Sequence, residues 1–180
     1  MFANPTDDTA LTLAAKGGDL DAFERLVRAH TPVVFAHALR FFGERSAAED
    51  VTQEVWIKVY RALSTFDERS RFSTWLYRVT RNTCLDQLRA GRHRPIPVDA
   101  IESPVKEDFA DEIALRATLE HAMRALAPDD RDALSAVALF GLTYAEASEV
   151  LGVPAGTVKS RVFRARRALT HALVPPGGGE

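Results

Sequence analysis

The sequence predicts an all-α chain of two small helical domains joined by a flexible linker. Three observations carry that expectation. Apolar residues recur at helical spacing over most of the length, with no alternating strand pattern of useful length. A Ser or Thr followed three residues later by Glu, at 46–49 and 143–146, marks two helix starts. Between them, residues 91–108 (GRHRPIPVDAIESPVKED) lose the periodicity and carry three prolines with mixed charge, which reads as a linker. The expected boundaries are 1–90 for the first domain, 109–174 for the second and 175–180 for a disordered tail.

The elements follow in order. A first helix is expected over about 10–15. Asp19 suits the N-cap of a second, which continues past Pro32 to Gly43 with a kink. Ser46 and Glu49 open a third that runs to about Leu63, where Val51, Val55, Val59 and Leu63 recur every four residues beside Trp56 and Tyr60. Residues 65–71 lack the pattern and read as a loop. Ser73 is the expected cap of a fourth helix to about residue 90, with Phe72, Leu76, Val79, Leu85 and Leu88 inward. Helices are expected over 109–126 and 128–139, and then a helix-turn-helix from Thr143 to Leu169.

That last segment, TYAEASEVLGVPAGTVKSRVFRARRAL, carries the most chemistry. Thr143 and Glu146 form a capping box, Gly152 permits a sharp exit, and Pro154 suits the first turn of the next helix. Val158, Val162, Ala165 and Leu169 face inward. The other faces carry Lys159, Arg161, Arg164, Arg166 and Arg167, with no acid between Pro154 and His171. A basic second helix after a tight turn is the geometry that enters a DNA major groove.

Composition narrows the class. No apolar run approaches the ~18 residues of a membrane span, and the first residues make a poor signal peptide. The single cysteine, Cys84, reads as a buried small hydrophobe, so a reducing cytoplasm is expected. The five histidines show no ligand spacing, and no phosphate loop or nucleophile motif occurs; no metal, cofactor or catalysis is expected. Net charge is −2, yet its distribution is uneven. Residues 69–98 hold seven arginines and one acid, and residues 99–132 hold ten acids and four bases. Two basic segments separated by an acidic one suit a polyanion partner. In the free chain the acidic stretch is expected to mask the basic helix.

Three stretches, AEDVTQEVWIKVYRAL, FSTWLYRVTRNTCLDQLR and GLTYAEASEVLGVPAGTVKSRVFRARRAL, resemble those of extracytoplasmic-function sigma factors, the smallest members of the sigma-70 family. The resemblance implies a transcription initiation factor. Its first domain would bind core RNA polymerase and the melted −10 element, and its second the duplex −35 element. It implies that Asp50, Gln53, Glu54 and Ile57, off the apolar stripe of their helix, meet the clamp helices of the largest polymerase subunit. The second domain would meet the flap of the second-largest subunit, and an anti-sigma factor is a further implied partner.

The same resemblance places the loop that captures a −10 base at about Phe66 to Arg71, and the residue types of the segment add Trp75, Arg78, Arg81 and Asn82 to Phe66, Arg69, Ser70 and Arg71 as expected −10 contacts. Aromatics and cations beside a loop are what unstacked bases require. It assigns the −35 element to Lys159, Ser160, Phe163 and Arg164, with Thr143, Tyr144, Thr157, Arg161 and Arg167 completing the set. The chain departs from the family in three places. Its loop reads FDERS where relatives more often read FRGES, Ala147 stands for a usual Ile, and Ser148 for a usual Ala. A rival reading, a helix-turn-helix regulator that never joins polymerase, leaves the Asp50–Glu54 face and residues 66–82 without a task.

Overall fold

The computed structural model describes residues 5–91, 118–119 and 121–173, and every regular element among them is helical. The first bundle contains α1 (Pro5–Lys16), α2 (Leu20–Phe42), α3 (Arg45–Ala62), a short 3-10 turn (Leu63–Thr65) and α4 (Phe72–Arg89). The second contains a helical stretch at 121–125, α5 (Pro128–Leu134), a widened π turn (Ser135–Leu139), α6 (Tyr144–Leu151) and α7 (Ala155–Leu173). The expected linker, the first part of the 109–126 helix and the tail lie outside the described residues, as do most of the acids assigned to masking.

Local chemistry explains most boundaries. Asp19 caps α2 by accepting a hydrogen bond from the Ala22 N–H at 3.0 Å. The helix runs unbroken through Pro32, and its buried face is Ala22, Leu26, His30, Val34, His37, Ala38 and Phe42. In α3 the four-residue repeat places Val51, Val55 and Val59 fully inside. Burial of such a side chain contributes roughly 1.5–3 kcal/mol.

Several expectations fail at helix ends. The Ser46–Glu49 capping box does not form: α3 begins at Arg45 with Glu44 as N-cap. The Ser46 hydroxyl donates to the Glu44 carboxylate, and Glu49 accepts from Arg45 Nε at 2.8 Å. Ser73 is no cap either, because Arg71 holds that position before α4. Pro154 lies just ahead of α7 and not in its first turn; its carbonyl accepts from the N–H groups of Thr157 and Val158. In α4 the expected Phe72 and Leu76 are buried, together with Thr74, Tyr77, Thr80, Thr83, Cys84 and Gln87, while Val79, Leu85 and Leu88 are half-buried. Thr80 and Thr83 fit inside because their hydroxyls donate to the Leu76 and Val79 carbonyls. Burial of Cys84 pushes its thiol pKa up, which keeps it protonated.

The two bundles touch. The π turn carries Phe140 against Tyr77 and His37, with ring centroids 5.0 and 5.8 Å apart. Helix α4 packs against α6, and α2 against the π turn. Among the described residues the apolar core is continuous across this boundary.

Candidate nucleic-acid interface

The helix-turn-helix forms as its sequence dictates. The Glu146 N–H donates to Thr143 Oγ1 at 3.2 Å, and the Thr143 N–H donates back to Glu146 Oε2 at 2.8 Å. Gly152 takes φ 67°, a left-handed conformation costly for other residues. Ser148 has a use that the family's Ala could not supply: its hydroxyl donates to the Val153 carbonyl at 2.6 Å and ties the turn. Val158, Val162 and Ala165 are buried, and Leu169 is half-buried.

The opposite face of α7 is open. Lys159, Ser160, Phe163 and Arg167 are exposed, and Phe163 keeps 67% of its surface in water. Thr143 and Tyr144 are exposed at the start of α6, and Thr157 is half-buried. Two of the expected contacts are already engaged within the bundle. Arg161 pairs with Asp129. Arg164 donates through Nε and Nη2 to Asp130 at 3.1 and 2.6 Å.

Four of the eight expected −10 residues line a cleft of about 260 Å³, while Trp75, Arg78, Arg81 and Asn82 do not. Phe66 is buried and lies on the cleft lining, its ring tilted against that of Trp75 at 5.2 Å between centroids. Arg69, Ser70, Arg71 and Phe72 also line it. Trp75 is half-buried; Arg78 and Asn82 are exposed on α4. The other wall is α1, through Thr9, Thr12 and Leu13, which sequence reasoning missed. The available signal was the 9-12-13-16 spacing of one helical face, ended by Lys16.

Lys16 explains the loop's departure from FRGES. Glu68 occupies the Gly position of that pattern and takes φ 61°. A non-glycine there costs about 1–2 kcal/mol. Lys16 Nζ donates to Glu68 Oε1 at 3.0 Å and to the Phe66 carbonyl at 2.7 Å, which holds the loop in place. Asp67 is paired with Arg69 at 3.2 Å. The two acids are therefore tied to cations within the chain.

Arg71 and Arg81 reach into the second bundle. Arg71 donates through Nε to Glu146 Oε1 at 2.6 Å, through Nη2 to the other oxygen of that carboxylate, and to the Gly141 carbonyl at 2.9 Å. Thr74 adds a hydroxyl to Glu146 at 3.0 Å. These donors, Arg71 first, hold the Glu146 pKa down to about 2. Arg81 Nε donates to Asp132 Oδ2 at 2.8 Å, and the Tyr77 hydroxyl donates to the Asp132 carbonyl at 3.0 Å. Burial pushes the Asp132 pKa up, against the pull of Arg81. Tyr77, on the same helix as Arg81, is fully buried.

The α3 face is mixed. Asp50 and Gln53 are exposed, and Ile57 is 50% exposed. Glu54 is not a free surface group: Gln87 of α4 donates to it, and Lys58 pairs with it at 3.0 Å. Tyr60 and Leu20 extend the apolar surface beside Ile57, with Phe23 against Tyr60 at 5.2 Å. Among the described residues no three His, Cys, Asp or Glu side chains stand close enough to hold a metal, and no helix is long and apolar enough to cross a membrane.

The family described as Sigma-70 region 2 matches residues 26–94, and Sigma-70, region 4 matches residues 116–169. The chain belongs to the sigma-70 family, in its extracytoplasmic-function branch. This sigma factor is 37% identical to the RNA polymerase sigma-H factor of Pseudomonas aeruginosa, over 93% of its own length and 94% of the relative's. It is 36% identical to the sigma-E factor of Escherichia coli strain K12, over 93% and 95% of the two chains.

Two solved structures share its fold. CnrH in complex with the cytosolic domain of CnrY matches with a TM-score of 0.68 at 26% identity, over 93% of this chain and 97% of that one. RpoE in complex with the anti-sigma factor NepR, from Bartonella quintana, matches with 0.64 at 27% identity, over 84% and 96%. In this sigma factor the region 2 match spans the α3 face and most of the cleft, and the region 4 match spans the helix-turn-helix.

Proposed function

We propose that this chain binds core RNA polymerase and directs it to a set of promoters, reading the −35 element as duplex and the −10 element as melted strand. What supports it best is that one chain carries two different surfaces that suit nucleic acid. One is an exposed helix of major-groove form; the other is an aromatic-lined cleft with cations around it. A regulator of duplex DNA has use for only the first.

In this reading Lys159, Ser160, Phe163 and Arg164 meet base edges, and Arg161, Arg167, Thr143, Tyr144 and Thr157 meet the backbone or its approach. Arg69, Ser70, Arg71, Trp75, Arg78, Arg81 and Asn82 hold the displaced strand, with Phe66 beneath it. Asp50, Gln53, Glu54 and Ile57 dock on the clamp helices of the largest polymerase subunit, and the second bundle on the flap of the second-largest. The chain performs no catalysis, works in the cytoplasm and is restrained by an anti-sigma factor.

The test is reconstitution with bacterial core polymerase on candidate promoters, with thymines near −10 probed by permanganate. Reactive thymines that need both core and this chain support the reading. Protection of the −35 duplex without any opening would favour the regulator.

A further inference from the structure

Asp129 and Asp130 open α5, and both hold arginines of α7. The second pair is asymmetric. The Asp130 side chain is 12% exposed, while its partner Arg164 is 58% exposed. Asp130 is fixed by its helix, and its N–H donates to the Ala127 carbonyl at 3.0 Å. A rigid carboxylate therefore grips one edge of a solvent-facing guanidinium through Nε and Nη2. A guanidinium has five donors in a planar fork. With that edge occupied, the Nη1 N–H groups and the remaining Nη2 N–H are left for another partner.

We propose that Asp130 is a positioning residue for base reading: it presents the outer edge of Arg164 to a guanine of the −35 element. Ser160, Phe163, Arg164 and Arg167 share one outward face at helical spacing, so Arg164 stands in the row that enters the groove. Guanine N7 and O6 accept two parallel N–H bonds, which is what that edge offers. Holding the long side chain beforehand also reduces the freedom lost on binding. The proposal rests on the −35 reading above.

The full-length protein carrying D130A, D130N, R164A or D130A/R164A is titrated against a duplex −35 library, with folding checked by thermal melts. R164A is expected to flatten preference at one base pair about tenfold. D130A is expected to weaken the same preference severalfold, and to add nothing in the R164A background. D130N covers the case in which D130A does not fold. If R164A changes no base preference, the −35 reading falls and the proposal with it. If R164A does, but Asp130 variants keep that preference or shift affinity for all sequences alike, the proposal alone falls.

Discussion

The two proposed nucleic-acid faces keep their cations in different ways. On α7 the arginines are either exposed or tied to acids of their own bundle, as Arg161 is to Asp129. Among the expected −10 cations, two cross to the other bundle, Arg71 to Glu146 and Arg81 to Asp132. In the proposed function, duplex binding breaks no contact between the bundles, whereas strand binding does. The difference fits the order of initiation, in which duplex is met before any strand is free. It also makes the two faces separable by experiment.

The largest expected effect comes from the packing that joins the bundles. Tyr77→Ala removes a fully buried ring that packs on Phe140 and His37 and donates to the Asp132 carbonyl. Truncation of such an aromatic costs about 3–5 kcal/mol. Urea denaturation should show that loss, and a loss under 1 kcal/mol would mean that the ring is not part of a shared core.

Next comes a pH effect centred on the same place. Burial lowers the His37 pKa from 6.5 to about 3, assisted by Arg40, Arg81 and Arg131. Neither ring nitrogen has a hydrogen-bond partner among the described residues. A depressed pKa means that neutral His37 supports the folded protein above pH 6.5, and that this support is lost as pH falls from 6.5 toward 3. Glu146, ordinarily near 4.5 and held at about 2, loses its contribution only between those two values. Stability measured against pH should therefore start to fall below 6.5. His37→Leu should flatten the curve between 6.5 and 4.5, and a parallel curve would refute the assignment.

A smaller effect separates two neighbours on the polymerase face. Glu54→Ala breaks contacts with Gln87 and Lys58 and is expected to cost about 1 kcal/mol of stability. Gln53→Ala, on the exposed face, is expected to cost no more than ~0.5 kcal/mol. Both should weaken association with core polymerase, read by co-purification, while leaving −35 duplex binding unchanged. Equal stability of the two variants would show that the Glu54 contacts add nothing.

Smallest is the change on the open face. Arg167→Ala should weaken binding to all duplexes alike and lower the salt slope by about one unit. Lys159→Ala should instead relax preference at particular base pairs, at about 1–3 kcal/mol. Identical sequence profiles for the two would place the helix wrongly in the groove.

How far the sequence foretold this depends on the range of each interaction. The helix-turn-helix was legible because its determinants are local: Thr143 with Glu146, Gly152 at the turn, Val158 with Val162. The stripe of α3 was legible for the same reason. Contacts between the bundles were not, since Arg71 and Glu146 are separated by 75 residues and leave no spacing to read. The α1 wall of the cleft was missed because short helices have weak periodicity. The caps at Ser46 and Ser73 failed because a nearby residue, Glu44 or Arg71, took the cap position without side-chain help. Buried Thr80 and Thr83 were invisible to an apolar pattern, since their hydroxyls are satisfied by their own helix.

The account's central claim is that this one chain supplies both promoter contacts to polymerase. Run-off transcription tests it most directly, with bacterial core enzyme, this chain and a library varied at both elements. The account predicts defined transcripts only when the chain is present, lost when either element is scrambled and lost with a Gln53→Ala/Glu54→Ala protein that still binds −35 duplex. Promoter binding without any transcript, or transcripts indifferent to the −10 sequence, would contradict it.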